Sequence, residues 1–143
     1  MDATKHRERP APLQSPQGGA WEAIRTHAQA LLAREPVLSG TLESDVLTQH
    51  SLEQGMTQLL SRKLADVALP APGLRELLIA TLDRHPRVAE AAQADLAATC
   101  SRDPAAADLL GGFLHYKRFH ALQAHRVAHE LWLEGRREVA RLL

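Results

Sequence analysis

Leucine and alanine recur every three or four residues through most of this chain, and prolines cut the pattern into helix-sized lengths. No other feature limits the fold as strongly. Both residues lose little side-chain freedom in a helix. A sheet draws on β-branched and aromatic residues, and here the aromatics are only 3% of the chain. There is no alternating strand pattern, no fixed-period repeat and no glycine-rich phosphate loop. The pattern predicts an all-α, multi-helix bundle of six to eight helices.

The segments can be read in order. "AWEAIRTHAQALLARE" places Trp21, Ile24, Ala28, Leu31 and Leu32 at helical spacing. Pro36 stops that helix, because the residue before a proline is pushed out of the helical region. "TLESDVLTQH" predicts a shorter helix with Leu42, Val46 and Leu47 on one side. "SLEQGMTQLLSRKLADVAL" opens with Ser51 and Gln54, an S-x-x-Q capping box. Its Leu52, Met56, Leu59, Leu60, Leu64 and Val67 form a long apolar stripe. Gly55 within it either weakens the helix by about 1 kcal/mol relative to alanine or permits a close helix approach. "LPAPG" reads as a loop. "LRELLIATLDRH" runs up to Pro86, which opens the next helix from a favoured first-turn position. "SRDPAAADLLGGFLHY" breaks and restarts the pattern. From about Tyr116 the last and longest element carries Phe119, Leu122, Val127, Leu131 and Trp132 on and around one side, and it reaches Leu143. Its apolar "ARLL" end lacks the usual stop signals. That end reads as the boundary of a longer chain or as a surface to be covered.

Residues 1–19 hold three prolines, two glycines and mixed charge, and read as a flexible tail ahead of one domain over 20–143. Basic and acidic residues balance at 17 each, which offers no electrostatic reason to propose nucleic acid or a membrane surface. From Lys117 onward six basic residues face three acidic ones, the pattern of a solvated helix face. No apolar run is long enough to span a membrane. One cysteine, Cys100, allows no intrachain disulfide, and a cytoplasmic setting is the expectation.

Eight histidines invite a metal reading. His115, His120, His125 and His129 fall on the last helical stretch, and His125 and His129 share a face while His120 points away. "HRVAH" lacks the glutamate of a zinc-protease helix, and zinc needs three or four ligands. Surface histidines are the better reading. No nucleophile elbow appears, and Cys100 reads as a buried, inert thiol. Asp103 followed by Pro104 reads as an N-cap and first-turn pair, worth about 1 kcal/mol against alanine. The same helix end would ease the charge of Asp103 and also favour a bound carboxylate.

Taken together, the words resemble a known family. "RDPAAADLLGGFLHYKRFHALQAHRVAHELWLEGRREVARLL" resembles the end of the N-terminal helical domain of serine acetyltransferases. Lys117, Phe119 to Ala124, Arg126, Ala128, His129, Leu131, Trp132, Gly135 and Arg136 carry the match. Upstream, Trp21, Ile24, Arg25, Glu35, Pro36, Leu38, Leu42, Leu47, His50, Ser51, Leu52, Glu53, Lys63 and Leu64 extend it over roughly Ala20 to Leu143.

The resemblance implies transfer of an acetyl group from acetyl-CoA to the hydroxyl of L-serine, with L-cysteine inhibiting at the serine site. It implies a homo-oligomer, two trimers joined into a hexamer by the helical domain. It places Asp103 and Pro104 in the serine site, where a carboxylate suits the substrate ammonium. The family's catalytic histidine, its aspartate partner and its acetyl-CoA contacts belong to a left-handed β-helix, whose hexapeptide repeats this sequence lacks. The resemblance also implies a C-terminal tail that docks on cysteine synthase, and no stretch of this sequence matches it. Arg118, His125 and Glu130 stand where glycine, tyrosine and tryptophan are usual. The expectation is therefore a domain that helps assemble the enzyme and walls the serine site but does not acetylate serine alone. The alternative is a stand-alone helical interaction module without catalysis.

Overall fold

The computed structural model of the chain describes residues 19–102 and 108–143. Among them there are eight α-helices and no strand: α1 (Gly19–Arg34), α2 (Ser39–Leu42), α3 (Leu52–Leu64), α4 (Ala71–Arg84), α5 (Pro86–Arg102), α6 (Leu109–His115), α7 (Lys117–Leu133) and α8 (Arg137–Ala140). The all-α expectation holds. The flexible tail expected over 1–19 lies almost wholly outside the described residues.

Helix boundaries follow local chemistry. Ser51 is extended, and its hydroxyl accepts from Gln54 N at 3.3 Å. The Gln54 side chain reaches back to His50 N at 3.0 Å, so the capping box forms with its return bond one residue early. Ser51→Ala should therefore cost about 1 kcal/mol in urea unfolding. At the far end of α7, Gly135 takes φ +82°. Arg136 N then bonds Leu131 O and Gly135 N bonds Trp132 O, which closes a Schellman turn. The last element is thus two helices, α7 and α8, rather than one reaching Leu143. Other expectations shift by a turn. "LPAPG" is a loop only up to Pro70, because α4 starts at Ala71. α3 ends at Leu64, which leaves Val67 off the stripe and fully exposed. "ESDVL" is a π-helical turn (Glu43–Leu47) rather than more α-helix.

One apolar core joins all the helices. Trp21, Ile24 and Ala28 of α1 meet Leu42 and Val46, then Met56, Leu59 and Leu60 of α3. Leu74 and Leu78 of α4, Ala92 and Leu96 of α5, Phe113 of α6, and Phe119, Val127 and Leu131 of α7 complete it. Leu122 and Trp132, expected on that side, face outward at 39% and 42% exposure. The π turn swings Asp45 inward, where its buried carboxylate accepts from Arg62 Nη2 at 2.5 Å and Nε at 3.3 Å. Glu134, beyond α7, accepts from Arg84 and from His85 Nε2 at 2.7 Å, and these donors hold its carboxyl down at about 2. That cluster fastens the end of α4 to the end of α7.

Candidate functional site

The candidate site is the corner where α5 gives way to α6. Asp103 and Pro104 lie in 103–107, outside the described residues, so its geometry is that of the frame around them. α5 ends at Arg102, and α6 starts from Asp108, an extended N-cap whose carboxylate accepts from Gly111 N at 2.5 Å. The N-cap of α6 is thus Asp108, which the sequence did not single out, while Asp103, read there as an N-cap, lies outside the described residues. A polar residue three positions before a glycine pair was the available signal. Cys100 Sγ lies 3.5 Å from Asp108 O, which joins the two ends of the segment. The thiol is half-buried, and burial followed by the nearby Asp108 carboxylate push its pKa up, so it stays a thiol. On the α1 side, His27 Nδ1 stands 3.6 Å from Asp108 Oδ1.

The other end of α6 is held by side chains from two further helices. His120 of α7 is 6% exposed, and its Nε2 lies 2.6 Å from Phe113 O. Lys63 of α3 donates from Nζ to Leu114 O at 2.9 Å and sits 3.5 Å from His120 Nδ1. Burial lowers the pKa of both groups; Arg62 adds to the effect on Lys63. The Phe113 ring packs edge-on against Trp21 at 5.4 Å between centroids. Sequence reading had set His120 aside because it points away from the other histidines. Phe113 stands 7 residues before it across a helix break and Lys63 stands 57 before it, so no spacing within one helix marks them.

Further along α7, Gln123 is wholly buried and donates to Asp95 Oδ2 of α5 at 3.0 Å. Arg126 pairs with the same carboxylate and also donates to Gln123 Oε1. His120, Gln123 and Arg126 therefore spend their polar groups binding α7 to α3, α5 and α6. His115, His125 and His129 are exposed, and the rings of the last two stack at 6.4 Å between centroids. Among the described residues, no third His, Cys, Asp or Glu joins them to make a metal-holding group. No described helix is long and apolar enough to cross a membrane.

The frame can be set against known proteins. The profile of "Serine acetyltransferase, N-terminal" matches residues 20–124, most of the chain and the whole of the corner. The chain belongs to the serine acetyltransferase family. A rice protein named probable serine acetyltransferase 3 is 46% identical over 137 residues, covering 94% of this chain and 46% of the relative. The solved soybean serine acetyltransferase complexed with serine superposes with a TM-score of 0.86 at 36% identity, over 90% of this chain and 53% of that one. A serine acetyltransferase solved with CoA gives a TM-score of 0.82 at 34% identity, over 85% of this chain and 52% of that one. The chain thus spans about half the length of the serine acetyltransferases it matches. The resemblance read from "RDPAAADLL" and "FHALQA" is confirmed by both sequence and fold.

Proposed function

We propose that this chain serves an enzyme that moves an acetyl group from acetyl-CoA to the hydroxyl of L-serine, in the route to cysteine. Its part is to assemble copies of the enzyme and to supply one wall of the site that takes serine or its inhibitor L-cysteine. The observation that carries this reading is the profile match across 20–124, which runs through the Arg102–Asp103–Pro104 corner. Asp103 would receive the substrate ammonium, and Pro104 would line the same site. The base that takes the serine proton and the contacts to acetyl-CoA are assigned to a β-helix domain rather than to any histidine here. His115, His125 and His129 face solvent, and His120 is committed to a carbonyl. A cytoplasmic setting accords with the single thiol.

Two results test the reading. The purified 143-residue chain should release no CoA thiol from acetyl-CoA in the presence of serine; serine-dependent release would overturn the division of labour. In an enzyme carrying both domains, Asp103→Ala should raise KM for serine about 10- to 100-fold, the loss expected for one charge-assisted bond of about 1.5–3 kcal/mol. An unchanged KM would remove Asp103 from the site.

A further inference from the structure

We infer that His125 and His129 form an open chelate on the outer face of α7 for one late first-row divalent ion (zinc, nickel or copper), with solvent water completing its coordination. The inference is independent of acetyl transfer and of the serine site.

The backbone sets the pair. Residues four apart on an α-helix stand one turn apart on the same face. Both histidines lie inside α7, so helical hydrogen bonds on either side fix that spacing. Both are exposed, and their rings lie 6.4 Å apart between centroids with 26° between their planes. At metal–nitrogen bonds of about 2.0–2.1 Å, one ion joins two ring nitrogens that stand about 3–4 Å apart. Rotation of two exposed side chains can bring facing nitrogens to that separation without moving the helix.

The ring nitrogens are free for this task. Among the described residues neither ring has a hydrogen-bond or ion-pair partner. Other histidines are engaged. His85 meets Glu130 with one nitrogen and Glu134 with the other, at 3.1 and 2.7 Å. His120 is held by Phe113 O, and His27 faces Asp108. His115 is exposed but has no histidine three or four residues away.

The surrounding charges allow an ion to settle. The pair borders a groove between α5 and α7 that Arg87, Arg126 and Glu130 also line. Arg126 is neutralised by Asp95, and Glu130 accepts from His85. Arg87 is exposed and can turn its long side chain into solvent. Two protein ligands make an exchanging surface site, not a closed structural centre, which takes four. That agrees with the lack of a third His, Cys, Asp or Glu beside the pair among the described residues. Imidazole nitrogens suit zinc, nickel and copper, whereas magnesium and calcium want oxygen. The two rings keep their spacing only while α7 is helical, so the ion binds the folded chain in preference and stabilises it.

Nuclear magnetic resonance of the purified chain during a nickel titration, at about pH 7.5, tests the site. Below one equivalent of Ni²⁺, the ring-proton signals of His125 and His129 should broaden together, ahead of those of His27 and His115. Excess Zn²⁺ should raise the melting temperature, and the same concentration of Mg²⁺ should not. His129→Ala should weaken nickel binding about 100-fold, because the second ligand no longer adds its intramolecular contact. His125→Ala should do the same. Broadening of His27 or His115 at the same nickel concentration overturns the chelate. So does equal stabilisation by Mg²⁺ and Zn²⁺, or an affinity unchanged in either alanine variant. The broadening order is read in the wild-type chain and needs no variant to fold.

Discussion

Phe113→Ala should destabilise the domain by about 3–5 kcal/mol, enough to consume much of the stability of a small domain. Phe113 is fully buried and packs edge-on against Trp21, so truncation opens a cavity between α1 and α6. The surrounding walls come from several helices and cannot all close in at once. Urea unfolding followed by far-UV circular dichroism measures the loss. Phe113→Leu, which refills most of the volume, should recover more than half of it. A cost below about 1 kcal/mol would mean that α6 is not anchored in the core as described.

Gly55→Ala should also destabilise, by about 2 kcal/mol, although alanine is the better helix former by about 1 kcal/mol. An added Cβ would stand 2.3 Å from Trp21 Cη2 and 3.0 Å from Asp45 O. The first contact demands movement of a ring already packed on Phe113. The second is backbone of the π turn and cannot swing aside. The two halves of the clash can be separated by a double-mutant cycle. Gly55→Ala in a Trp21→Leu background should cost at least 1 kcal/mol less than in the wild type, because the ring is no longer in the way. Equal costs in both backgrounds would place the strain on Asp45 O alone. A stabilising Gly55→Ala would show that α3 does not approach α1 and the π turn this closely.

Both predictions concern residues whose helices were legible in the sequence and whose partners were not. The 3.6-residue period placed Trp21, Ile24 and Ala28 on one face, and all three are buried. Ser51 and Gln54 announced the start of α3, because a capping box acts over three residues and needs nothing from elsewhere. Gly55 was left between two meanings, and only the arrival of Trp21 from α1 and Asp45 from the π turn settled it as a close approach. Leu122 and Trp132 went the other way. Their spacing on α7 fits an apolar side, but α7 packs on α4 and α5 with Phe119, Gln123 and Val127 buried instead.

The same division runs through the site. Family membership was readable from the words around Asp103 and along α7, since a motif is a local string. The chemistry that holds the corner was not. His120 meets Phe113 O across 7 residues and Lys63 across 57, and Asp45 meets Arg62 across 17. A lysine ammonium beside a buried histidine would look unfavourable on any local reading. They are stable only because two helix-end carbonyls meet them in space. Local periodicity, capping and motif residues determined the helices and the family. The pairing of polar groups between helices was decided by tertiary structure alone, because a buried hydrogen bond depends on where its partner stands in space and not on where it falls in the chain.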